Sequence, residues 1–122
     1  AESVVVETKA EDGFLLTPQA LRRTLEAQPS AKLLILCNPS NPTGGVHDEK
    51  RCQELASVLR DFPQVAILAD EIYERLVYTK GGCPAFARMP GMFERTMTVN
   101  GFSKAYAMTG MRLGYLAAPT KL

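Results

Sequence analysis

The chain has 122 residues, 46% hydrophobic and 22% charged, with 14 basic against 13 acidic side chains. That is enough for one domain with a real core and is ordinary for a soluble globular protein. The balanced, interspersed charge gives no electrostatic case for nucleic acid or an anionic membrane surface, and no apolar run approaches the roughly 20 residues that span a bilayer.

The N-terminus, Ala1-Glu2-Ser3-Val4-Val5-Val6, has no initiator Met, no basic region and no long apolar stretch. It reads as the middle of a protein rather than as a signal peptide. The β-branched run predicts a strand over 3–8, and Glu11-Asp12-Gly13 a turn. Thr17-Pro18 reads as an N-cap with Pro at the first helical position, opening a helix to about Ala27 with Ala20, Leu21 and Leu25 at helical spacing. Lys32 to Cys37 is largely apolar and short, which suits a strand buried on both faces of a parallel sheet. Asp48 is placed to cap a helix from Glu49 to Arg60, with Leu55, Ala56 and Leu59 on one face. Val65–Ala69, Thr96–Asn100 and Leu113–Ala118 are further strands, and Gly81–Pro90, rich in Gly and Pro, reads as a surface loop. The predicted fold is α/β: a mostly parallel sheet flanked by helices, with a right-handed crossover between the strands from Lys32 and Val65.

Cys37, Cys52 and Cys83 are widely spaced and include no Cys-x-x-Cys pair, and His47 is the single histidine. A metal site is not expected. Cys37 and Cys52 read as free buried thiols of a reducing, intracellular compartment. Proline at the middle position disqualifies both Asn-Pro-Ser and Asn-Pro-Thr as glycosylation sites. His47 reads as a solvated residue at a helix start.

Three blocks each follow a predicted strand: Asn38-Pro39-Ser40-Asn41-Pro42-Thr43-Gly44-Gly45, Ala69-Asp70-Glu71-Ile72-Tyr73, and Asn100-Gly101-Phe102-Ser103-Lys104 with Arg112 eight residues on. In open α/β sheets ligands bind outside the carboxyl ends of strands, so the blocks should meet at one edge. They bring an amine, a carboxylate, a phenol, an amide and a guanidinium, the set that holds and tunes pyridoxal 5′-phosphate (PLP). Lys104, flanked by small and apolar residues, is the candidate nucleophile, against the plainer reading of a snorkelling surface lysine. Arg112 offers a planar fork for a phosphate, or else a structural ion pair. Asp70 offers a carboxylate to a pyridinium nitrogen, or else a turn cap. Tyr73 and Asn41 are placed to donate to the cofactor's phenolic oxygen; core packing and turn chemistry are their alternatives. Glu71 has no assigned role.

Asn-Pro-x-Asn-Pro-Thr-Gly, Asp-Glu-Ile-Tyr and Ser-Lys-Ala-x-x-Met-Thr-Gly-x-Arg-x-Gly-Tyr, in this order, resemble the class I aminotransferases of the fold-type I PLP enzymes. The likeness is nearest to the aspartate aminotransferase subgroup of bacteria and plastids and covers essentially the whole chain. It implies that residues 1–122 are a central part of the large, PLP-binding domain of a longer homodimeric protein, inactive alone. It further implies that Lys104 carries PLP as a Schiff base and serves as general base and acid. Asp70 would keep the pyridine nitrogen protonated, Asn41 and Tyr73 would bond the phenolic oxygen, and Arg112 would bind the phosphate, with Ser103 a weaker phosphate contact. Many relatives carry serine three residues before the lysine; here the position is Gly101. Met111 stands where close relatives often have Trp. The implied activity transfers an amino group between an amino acid, aspartate among the candidates, and a 2-oxo acid in amino acid biosynthesis. The expected compartment is cytoplasmic, or organellar with a transit peptide. A PLP lyase or synthase of the same fold, and the aminotransferase-like sensor domain of a transcription regulator, are the alternative readings.

Overall fold

Two capped helices and four strands organise the protein in a computed structural model that describes residues 2–122. Helix α1 (Pro18–Ala27) starts where Thr17 caps it: the hydroxyl accepts a hydrogen bond from the Ala20 N–H at 3.1 Å, and Pro18 fills a position whose N–H has no helical partner. Helix α2 (Glu49–Arg60) starts at Asp48, whose carboxylate accepts from the Arg51 N–H at 2.8 Å. Both helices have the predicted bounds, because cap and apolar periodicity agree in each.

Strands β1 (Leu33–Cys37), β2 (Ala66–Asp70), β3 (Thr96–Gly101) and β4 (Gly114–Ala117) form one sheet in the order β1-β2-β3-β4. The first three run parallel, and β4 returns antiparallel to β3. The core lies where Leu36, Ile67 and Ala69 meet Leu21 and Leu25 of α1 and Leu55, Ala56 and Leu59 of α2, with Phe86, Met89 and Met92 closing it.

Four expectations change. Strand β1 is not buried on both faces: Leu33 and Ile35 are exposed, because in the described residues the helices cover one face and β1 is an edge. Residues 3–8 form no strand. Val4, Val5 and Val6 instead line a groove of about 910 Å³ beside β1 without entering the ladder; β-branched composition favours a pleated surface but needs a pairing edge to become a strand. Gly81–Pro90 is not wholly a surface loop, since a single 3₁₀ turn at Phe86–Arg88 drops Phe86 and Met89 into the core. Cys52 is buried as expected, but Cys37, on the less covered sheet face, is only half-buried; all three cysteines are free. Among the described residues no helix is long and apolar enough to cross a membrane.

Candidate functional site

Parallel pairing of β1, β2 and β3 forces their carboxyl ends to one edge, and the antiparallel return brings the start of β4 there too, with Gly114 opposite Gly101. Asn38 to His47 leaves β1, Asp70 to Leu76 leaves β2, and Phe102 to Arg112 joins β3 to β4. The three sequence blocks therefore converge for a topological reason.

Asp70 is the last residue of β2 and half-buried. Its carboxylate accepts from the Ile72 N–H at 3.2 Å, which folds the following turn. That turn projects Tyr73, half-buried, toward the loop after β1, where the exposed Asn41 donates from Nδ2 to the Tyr73 hydroxyl at 3.1 Å. From the third loop, Lys104 places Nζ 5.7 Å from the Tyr73 ring centroid. An ammonium there gains from the negative face of the ring. Asn41, Tyr73 and Lys104 are thus brought into one constellation, with Asp70 three residues before Tyr73 on the same turn.

Arg112 and Ser103 are not joined to it by any hydrogen bond among the described residues. Ser103 is half-buried. Arg112 is exposed and donates from Nη1 to the Thr109 carbonyl at 3.0 Å. Its backbone lies in the left-handed region, φ 53°, as does that of Ala107, φ 52°. Non-glycine residues held there cost of order 1 kcal/mol each and cluster at functional loops. Phe102 anchors the loop, its ring 5.5 Å from that of Tyr106 and 6.1 Å from that of Tyr115.

Gly101 explains the departure three residues before the lysine. A Cβ there would meet the Leu113 carbonyl oxygen at 3.0 Å, Ile72 Cδ1 at 3.1 Å and Gly114 Cα at 3.3 Å. A serine there would need the Leu113–Gly114 backbone and Ile72 to give by a few tenths of an ångström.

Three polar residues that the sequence reading did not place in the site support it from beneath. Asn38 is buried at the root of the first loop, and its side chain binds the His47 backbone in both directions. Its signal was a second Asn-Pro in the motif, which turn chemistry already explained. Glu71 is buried, and Oε1 accepts from the Phe86 N–H at 2.9 Å; burial pushes its carboxyl up. Strand alternation after Asp70 was the available clue, since neighbouring side chains point to opposite faces. His47 is not solvated: it is 3% exposed, and its Nε2 accepts from the Leu16 N–H at 3.0 Å. Burial, helped by the nearby Arg51 charge and opposed by Asp48, lowers its pKa from 6.5 to about 4. Its position next to a helix cap masked the contact with Leu16, which only the tertiary fold brings near.

Comparison with known proteins gives the chain a lineage. The family model described as aminotransferase class I and II matches residues 1–122. The chain belongs to the class I and II aminotransferase family. Within that family it is 49% identical over 119 residues to an aspartate aminotransferase of Pinus pinaster, a match covering 98% of this chain and 24% of that protein. It is 42% identical to the aspartate/prephenate aminotransferase of Cereibacter sphaeroides, over 98% of this chain and 30% of the relative. Among solved structures, the aspartate aminotransferase from Rhizobium meliloti matches with a TM-score of 0.91 at 39% identity, over 97% of this chain and 29% of that one. The chain thus spans between 24% and 30% of the length of these family members. The mixed sheet with its helices is the aminotransferase fold over that span.

Proposed function

We propose that the full-length protein is a PLP-dependent aminotransferase moving an amino group between an amino acid and a 2-oxo acid, with this chain the central part of its large, cofactor-binding domain. Aspartate is the first amino donor to test, since it stands in the names of several relatives. The observation that carries the reading is the Asn41–Tyr73 hydrogen bond with Lys104 Nζ over the same ring, on the edge where Asp70 ends β2.

The donor set fits the cofactor. When bound, PLP supplies an aldehyde that captures amines and a protonated ring that draws electrons from the attached carbon. Asp70 is the carboxylate for the ring nitrogen, because a half-buried anion at a strand end pairs best with a cation. Asn41 Nδ2 and the Tyr73 hydroxyl are donors for the phenolic oxygen; their mutual hydrogen bond presents both groups together. Lys104 Nζ would hold the cofactor through its aldehyde carbon between turnovers and, once displaced by the incoming amino acid, would move the substrate's Cα proton to that former aldehyde carbon. Arg112, with Ser103 beside Lys104, offers charge and hydroxyl to the phosphate. Exposed Ile35, Leu113, Tyr115 and Leu116 give the remaining length of a family member apolar surface to cover. The assembly is a homodimer of that longer protein, cytoplasmic, serving amino acid biosynthesis.

The test is to add PLP to the full-length protein, reduce with borohydride and map the labelled peptide. A pyridoxyl group on Lys104, together with equal amounts of amino-acid and 2-oxo-acid product from aspartate and 2-oxoglutarate, is expected. Label elsewhere, or none in a folded protein, refutes the assignment of Lys104. Label on Lys104 without amino transfer to any 2-oxo acid moves the protein to lyase chemistry.

A further inference from the structure

None of the roles above uses Asn38, yet the loop that presents Asn41 is built on it. Asn38 follows the last residue of β1 and is 5% exposed. Its backbone N–H donates to the Asp70 carbonyl at 3.0 Å, carrying the β1–β2 pairing one step past the paired residues. Its side chain then closes the loop: Oδ1 accepts from the His47 N–H at 2.8 Å, and Nδ2 donates to the His47 carbonyl at 3.1 Å. One primary amide thereby makes the pair of bonds that two opposed strand residues would otherwise exchange.

Inside that bridge sits a smaller turn. The Ser40 N–H donates to the Gly45 carbonyl and the Gly44 N–H to the Ser40 carbonyl, both at 2.9 Å. Gly44 accommodates the turn at φ 72°. Asn41 lies within this turn, exposed, with Nδ2 on the Tyr73 hydroxyl. An exposed amide on a loop points in one direction only if the backbone beneath it is fixed. The buried Asn38 bridge is that fixed base.

We propose that Asn38 is a positioning residue whose two-way hydrogen bond to the His47 backbone aims the loop carrying Asn41 at Tyr73 and at the cofactor's phenolic oxygen. This rests on the reading of Asn41 under Proposed function. The chemistry calls for an amide of this length. Aspartate lacks the donor for the His47 carbonyl, alanine and serine do not span to both groups, and glutamine carries the amide one methylene too far.

The test uses the full-length protein and added PLP. The pH midpoint of the bound cofactor's absorbance is measured for the unsubstituted protein, Asn41→Ala, Asn38→Ala and the double variant. Amide hydrogen exchange at Gly44 and His47 is followed without cofactor. Asn38→Ala should move the midpoint in the same direction as Asn41→Ala, by about half as much or more, and the double variant should move no further than Asn41→Ala. The His47 amide, its acceptor gone, should exchange about tenfold faster or more. A lower melting temperature with an unmoved midpoint in the bound fraction makes Asn38 merely structural and overturns the proposal. An additive double variant overturns it too, because Asn38 then acts by a route other than Asn41. Should Asn38→Ala not fold, Asn38→Asp keeps the shape and the acceptor, loses the donor, and carries the same expectation for the midpoint. If PLP binds but Asn41→Ala leaves the midpoint unmoved, the reading of Asn41 fails and the positioning claim with it; if only Asn38→Ala leaves it unmoved, the positioning claim alone fails.

Discussion

Acidification should strike this protein first at His47. The Leu16 N–H donates to Nε2, so the neutral ring carries its proton on Nδ1, which is buried with no partner among the described residues. Protonating Nε2 would set two donors against each other and place a cation in the core. The unfolded histidine takes its proton near 6.5, the folded one only near about 4. The unfolded state therefore binds more protons between these values, and stability falls as pH falls through that window. The contribution is complete above 6.5 and exhausted below about 4. Over that interval, at about 1.36 kcal/mol per pH unit, the loss is about 3 kcal/mol. Urea unfolding of the full-length protein should show this fall between pH 7 and pH 4, and His47→Gln should lack about that much of it. Nitrogen NMR of labelled histidine checks the cause directly, predicting a bare Nε2, a protonated Nδ1 and a midpoint well under 6. A His47 signal titrating near 6.5, or carrying its proton on Nε2, would refute the reasoning.

Glu71→Gln keeps an oxygen for the Phe86 N–H and removes a buried charge, so stability at pH 7 should hold or rise. Glu71→Ala strands that N–H and should cost about 1–3 kcal/mol by urea unfolding. Because burial raises the Glu71 carboxyl, the folded state takes that proton at higher pH than the unfolded one; Glu71 thus favours the fold as pH falls, against His47, and Glu71→Gln should remove this term. Gly101→Ser drives a Cβ to 3.0 Å from the Leu113 carbonyl oxygen and should lower stability by about 1–3 kcal/mol; an unchanged melting temperature would show that the start of β4 yields freely. Arg95 donates to the carbonyls of Leu59, Phe62 and Val65, tying the end of α2 to the start of β3. A lysine cannot reach all of these at once, so Arg95→Lys should cost about 1–2 kcal/mol in thermal or urea unfolding.

Much of this protein was readable from local signals. Thr17-Pro18 and Asp48 marked both helix starts because a cap and the periodic apolar face lie within one turn of each other. The apolar runs marked four strands because their lengths and flanking turn residues agree. The convergence of Asn41, Asp70, Tyr73 and Lys104 was legible because each lies at or just beyond the carboxyl end of a strand, and parallel pairing sends all strand ends of one polarity to the same edge. Tertiary structure alone decided the rest. Whether Val4–Val6 becomes a strand depends on an available edge, and β1 shows its outer face because both helices lie on the other. The buried state of His47 depends on Leu16, and that of Glu71 on Phe86, neither of them a neighbour in sequence. Burial of a polar side chain is a property of what packs over it: the chain's own order carries the chemistry of Asn38, Glu71 and His47, and only the folded arrangement supplies the partners that make them supports of the site.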